Sequence, residues 1–124
     1  MPNSDLLQKN WHIYVADMIG FAKKVVTYTN GLDQGRFVAD KLNYDATLRN
    51  LSMMSEAATN IPKYVRNFAG PINWHQIAGM QEQLIHNYWS INNDIVWDII
   101  QNEIPALIKQ LHALKKAADE NKIR

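Results

Sequence analysis

The chain predicts an all-α fold, an antiparallel bundle of four main helices plus short helical segments, and three observations carry that expectation. Apolar residues recur at intervals of three and four through most of the sequence, the spacing of a helix face. The strongest turn signals, Gly31, Pro62 and the pair Gly70-Pro71, fall between these runs. No stretch alternates apolar and polar residues as a half-buried strand does. At 124 residues the chain can bury one core of its own but has little room for a second, so it reads as a single helical domain over residues 1–124.

The elements follow in order. From Asp5, the positions Leu7, Trp11, Tyr14, Val15, Met18, Phe21, Ala22 and Val25 share one face, with Lys9, Asp17, Lys23 and Lys24 mostly on the others. This is a long amphipathic first helix, and Gly31 after Asn30 is its expected stop. A short helical piece is expected around Asp33 to Lys41. Asn43 then precedes a second major helix in which Leu48, Leu51, Met54, Ala58 and Ile61 lie together until Pro62 interrupts the run. Pro62 to Phe68 reads as one irregular helical turn, and Gly70-Pro71 as the link that follows.

A third main helix is expected from Asn73 or Trp74, through Ile77, Met80 and Leu84, to about His86. The last starts near Asn92 or Asn93 and carries Ile95, Val96, Ile99, Ile100, Ile104, Leu107, Ile108, Leu111 and Leu114. Pro105 falls inside that pattern, where it removes a backbone donor and predicts a kink or restart. The segment from Lys115, KKAADENKIR, is mostly polar and reads as a frayed tail.

Composition excludes several classes of function. The formal charge is only +1, so no global positive field marks a nucleic-acid binder and any RNA contact must be local. Cysteine is absent, which removes disulfides, thiolate metal sites and cysteine nucleophiles and fits a reducing, cytoplasmic compartment. No window reaches the roughly 18 apolar residues of a spanning helix, and the start of the chain lacks a basic segment followed by a long apolar one. Neither membrane insertion nor secretion is expected. His12, His75, His86 and His112 have no ligand spacing, so no metal is expected. The isolated glycines form no phosphate loop, and no cofactor is expected. Trp11, Trp74, Trp89 and Trp97 read as core or interface residues.

Two constellations remain. Arg49 and Glu56 are seven residues apart, two turns on one helix face, which describes a solvated face, a partly buried charge pair, or part of a site. His86 and Tyr88 flank Asn87 where one helix ends and the next begins. An imidazole titrating near neutrality can take a proton from a ribose hydroxyl or return one to a leaving oxygen. A neighbouring phenol can orient a phosphate or accept a transferred group.

The segments ATLRNLSMMSEAATNIPKYVRN and INWHQIAGMQEQLIHNYWSINNDIVWDIIQNEIPALIKQL resemble the HepT-type branch of the HEPN superfamily, proteins encoded beside a small nucleotidyltransferase. The resemblance rests on RNL, SEAA, INW, IAGM, LIH-x-Y and DIVW in this order. It implies a HEPN-like bundle that forms a homodimer, and a toxin of a toxin–antitoxin module. That toxin cleaves RNA as a metal-independent endoribonuclease, checked by an MntA-like nucleotidyltransferase antitoxin. The family's motif is Arg, four residues of any type, His, any residue, Tyr. Here His86 and Tyr88 match, and the arginine position holds Gln81.

By that resemblance His86 assists attack of the ribose 2′-hydroxyl on the adjacent phosphate, and the motif cation neutralises the phosphoryl oxygens. Gln81 donates a hydrogen bond but brings no charge, and Glu82 beside it adds a negative group. A long cation from elsewhere, Arg49, Lys63 or Arg66, could take its place, with Arg49 the candidate substitute. Tyr88 stands where the family's tyrosine resembles an acceptor of adenylyl groups. Three readings therefore stand together: a ribonuclease toxin, a catalytically weak or silent HEPN protein that is binding partner or adenylylation substrate of a nucleotidyltransferase, and a structural helical module with no RNA role.

Overall fold

The computed structural model describes residues 10–123 apart from Asn87, and only the main chain of Gln83, Ile85, His86 and Tyr88. The expected start of the first helix at Asp5 lies outside the described residues. In chain order the elements are α1 (Trp11–Thr29), α2 (Gln34–Ala39), α3 (Lys41–Ala58), α4 (Lys63–Phe68) and α5 (Trp74–His86). A 3₁₀ turn (Tyr88–Ser90), α6 (Asn93–Asp98), a π-turn (Ile99–Glu103) and α7 (Ile104–Asp119) complete the chain. No strand occurs among the described residues, and the fold is the expected all-α, HEPN-like one.

The helix ends follow from local chemistry. Leaving α1, Asn30 has φ −60° and ψ 128° and Gly31 has φ 77°, while the Leu32 N–H donates to the Thr29 carbonyl at 3.1 Å. These are the features of a type II turn, whose third residue needs positive φ and so favours glycine. The α2 helix starts under Asp33, whose carboxylate accepts from the Arg36 N–H at 2.8 Å.

The start of α3 differs from expectation. Asp40, not Asn43, caps it, accepting from the Asn43 N–H at 3.3 Å and from Asn43 Nδ2 at 2.9 Å. A carboxylate satisfies an orphan amide and also suits the positive end of the helix dipole. The segment after Pro62 is a regular helix rather than an irregular turn, because the Pro62 carbonyl accepts from Val65 and Arg66 at 3.0 and 3.1 Å. Asn73 caps α5 through the Gln76 N–H at 3.1 Å. Asn92 caps α6 through the N–H groups of Asp94 and Ile95.

Helical backbone runs without a gap from Asn93 to Asp119, and what accompanies Pro105 is a π-turn just before it. Ile104 N–H donates to the Ile99 carbonyl five residues back, so the helix widens by one residue before the proline that cannot donate. Helix α7 then runs to Asp119, carrying regular structure into the polar segment that begins at Lys115. Its end is a Schellman closure: Asn121 has φ 57°, its N–H reaches the Ala118 carbonyl at 3.0 Å, and the Lys122 N–H reaches Ala117 at 2.9 Å.

One apolar core joins these pieces. Helix α1 packs most extensively on α3, α3 on α5, and α1 on α7, whereas α5 and α7, which would close the ring, barely touch. Val15, Met18, Val25, Leu51, Met54 and Leu111 have no solvent exposure, and each such side chain contributes roughly 1.5–3 kcal/mol by burial. Near one end, Phe37 packs against Tyr44 and Trp97 with ring centroids 5.1 and 5.3 Å apart. Tyr44 OH donates to Asn93 Oδ1 at 2.6 Å, and Gln34 donates to Asp94. These contacts fasten α2 and α3 to α6. Trp11 is buried and Trp74 and Trp97 pack against the core, but Trp89 is 96% exposed.

Candidate functional site

Helix α3 turns one polar stripe outward. Asp45, Arg49, Ser52 and Glu56 follow one another at spacings of four, three and four, so they share a face. Leu48 flanks them and is buried because it is directed toward the core side of the same helix. Opposite this stripe lies α5, which packs closely along α3. Between the two helices is a cleft of about 490 Å³ lined by Asp45, Leu48, Arg49, Ser52, Met53 and Glu56 from α3 and by Gln81 and Leu84 from α5.

The structure thus brings Arg49, Glu56 and Gln81 to one cleft. Arg49 and Glu56 are both exposed, and no ion pair joins them among the described residues. Arg49 is the one cation among the described lining residues. Lys63 and Arg66 are exposed on α4 and are not among those residues, so the candidate cations separate. Glu82 is exposed and also stands outside the lining.

His86 is the last residue of α5, and Tyr88 opens the 3₁₀ turn that follows. Their side chains lie outside the described residues. The backbone nevertheless limits how they relate to Gln81. Five residues along a helix give a rise of about 7.5 Å and a rotation of about 140°, so a group at Gln81 and one at His86 converge only through length or through the end of the helix. A cation across the cleft has no such constraint.

Sequence reasoning missed Asp45, Ser52 and Met53. Their signal was present in the spacing around Arg49, but a polar stripe on an amphipathic helix looks the same whether it faces water or a cleft. Among the described residues no three histidine, cysteine, aspartate or glutamate side chains are grouped to hold a metal. No helix of the described residues is long and apolar enough to cross a membrane.

An all-α bundle with a polar cleft beside a helix that ends at a His-x-Tyr sequence defines a HEPN-like protein. The sequence profile of the ribonuclease HepT-like family matches residues 14–114, and the chain belongs to that family. A Methanocaldococcus jannaschii protein that carries an RNase name is 31% identical over 119 residues, covering 94% of this chain and 98% of that one. An RNase-named protein of Caldanaerobacter subterraneus subsp. tengcongensis is 34% identical over 98 residues, 79% of this chain and 88% of its own. The ribonuclease-named HepT of Thermococcus cleftensis is 27% identical over 103 residues, 83% and 94% of the two chains. No solved structure matches the chain.

Proposed function

We propose that this chain, as one domain over residues 1–124, is a metal-independent endoribonuclease and the toxin of a toxin–antitoxin module. In this reading His86 takes the proton of a ribose 2′-hydroxyl, the oxygen attacks the adjacent phosphate, and the bond to the 5′-oxygen breaks as that oxygen takes up a proton from the imidazolium or from water. Arg49 supplies the positive charge that Gln81 lacks. One observation carries the reading: Arg49 and Gln81 line the same cleft, with Asp45 and Glu56, so a cation shares a cleft with the motif position that holds glutamine. Gln81 keeps a hydrogen-bond donor for a phosphoryl oxygen. A preorganised donor or cation at such an oxygen is worth about 10²–10³ in rate, near 3–4 kcal/mol.

Partners follow from the family. The chain acts as a homodimer in the cytoplasm and is restrained by an MntA-like nucleotidyltransferase, with Tyr88 as the acceptor of an adenylyl group. That group would place bulk and negative charge beside His86, where a phosphate must approach.

The uncharged Gln81 favours a second reading, a HEPN protein without cleavage activity that serves as binding partner or substrate of the nucleotidyltransferase. Cleavage of a mixed RNA pool by the wild type, Arg49→Ala and His86→Ala separates the two. The nuclease reading expects cleavage by the wild type and loss in both variants; equal activity in all three removes it. Intact mass after co-expression with the nucleotidyltransferase tests Tyr88, and a shift that persists in Tyr88→Phe removes that role.

A further inference from the structure

The open seam of the bundle is a second place where the fold leaves room. Because α5 and α7 barely touch, a cavity of about 220 Å³ remains between them, with Met54, Ile77, Met80, Ile104 and Leu107 forming its apolar floor. Asn73, Gln76, Asn102, Glu103 and Gln110 contribute its polar wall. Asn102 and Glu103 reach this wall from the π-turn, whose extra residue alters the direction of the side chains that follow it.

The hydrogen bonds of that wall involve its four amides and its one carboxylate. Gln76 Nε2 donates to Glu103 Oε2 at 3.2 Å, Asn102 Nδ2 to Asp98 Oδ1 at 2.7 Å, and Gln110 Nε2 to the Pro71 carbonyl at 3.5 Å. Each of these three amides turns its NH₂ toward a carboxylate or carbonyl, which can only accept. Each also keeps its oxygen and a second N–H, and Asn73, whose oxygen accepts from the Gln76 N–H, keeps its NH₂, so what distinguishes the wall is the remaining lone pairs of its one charged group, the Glu103 carboxylate. Glu103 is half-buried, and no cation pairs with it among the described residues.

An apolar floor beside a half-buried carboxylate, the one charged group among the lining residues, suits a particular ligand class. We propose that this seam binds a linear aliphatic amine, with its methylene chain over Met80, Ile104 and Leu107 and its ammonium on Glu103. The ammonium has only donors to offer, and the Glu103 carboxylate and the amide oxygens beside it can receive them. The site is separate from the α3–α5 cleft, since Met80 faces the seam while its neighbour Gln81 lines the cleft.

Binding of hexylamine, followed by amide chemical shifts of the full chain, tests the proposal, with hexanol as a probe of equal length and no charge. The expected result is saturable shifts centred on Ile77, Met80 and Leu107, and affinity lower by about tenfold or more for hexanol and for hexylamine with Glu103→Gln, the loss of one charge-assisted bond. Ala106→Leu, an exposed position on the cavity rim, should obstruct entry without entering the core and weaken hexylamine as well. Shifts scattered over the surface, equal binding of hexanol, or affinity unchanged by both substitutions would overturn it.

Discussion

The two sides of α5 make an instructive contrast. Toward α3 the helix is closely packed, and the polar groups lie outside that contact as a stripe around Arg49. Toward α7 the packing is loose, and the polar groups lie within the gap around Glu103. The first side holds Arg49 between the carboxylates Asp45 and Glu56 in the cleft that Gln81 lines, and in the proposed reading Arg49 is what meets a phosphate. The second holds a carboxylate above apolar residues and can meet an ammonium. One helix therefore borders two different sites, and neighbouring residues, Gln81 and Met80, belong to different ones.

The largest effect expected from breaking this contrast concerns charge in the cleft. If Arg49 supplies the cation, Gln81→Arg adds less than about tenfold to RNA cleavage in the wild type but recovers about 10²–10³ in an Arg49→Ala background. Such non-additivity is what two side chains serving one role produce. Glu103→Gln leaves cleavage unchanged because its carboxylate faces the other seam. Single-turnover rates for the four cleft combinations provide the measurement, and equal gains from Gln81→Arg in both backgrounds would separate Arg49 from the chemistry.

How far this contrast is legible in the sequence depends on what is local. The helices α1, α3 and α5 are legible because their apolar faces keep a 3.6-residue period, and the caps Asn73 and Asn92 are legible because a side chain two or three residues from an orphan amide is a local arrangement. At the start of α3 the sequence points to Asn43 rather than Asp40, although a carboxylate there satisfies an amide of the first turn and complements the helix dipole. Pro105 announces an irregularity but not its form, since a kink and a π-turn both accommodate a missing N–H. The relation of Arg49 to Gln81 is not legible at all from spacing. It depends on which helices become neighbours, a property of the assembled bundle. Gln81, by contrast, stands out as a departure from the motif in the order of residues alone.

The seams should also differ in stability. Leu111 is fully buried on α7, the helix that packs along α1, so Leu111→Ala opens a new void and should cost about 3–4 kcal/mol. Met80 is 7% exposed and already borders the seam cavity, where truncation enlarges an existing opening that water can enter. Met80→Ala should cost nearer about 2 kcal/mol, the low end for such substitutions. Urea unfolding of both variants measures the difference, and a Met80 cost equal to that of Leu111 would mean that the α5–α7 side is as tightly packed in solution as the α1–α7 side.

The smallest effect lies on the far face of α3. Thr47 stands two residues before Arg49, about 200° around the helix, and is completely buried. Its hydroxyl has no hydrogen-bond partner among the described residues. Thr29 and Ser55 show the usual solution, donating to carbonyls four residues back at 2.8 and 3.1 Å. An unsatisfied buried hydroxyl costs about 1–3 kcal/mol of desolvation, and valine keeps the shape while removing the polar atom. Its helix propensity is close to that of threonine, so the backbone term should nearly cancel. Thr47→Val should therefore stabilise the fold by roughly 1 kcal/mol, raising the melting temperature by about 4 °C, and leave RNA cleavage unchanged because the cleft lies on the other face. A lower melting temperature would mean that the hydroxyl finds a partner in the folded protein and that this face of α3 is polar where it now reads as core.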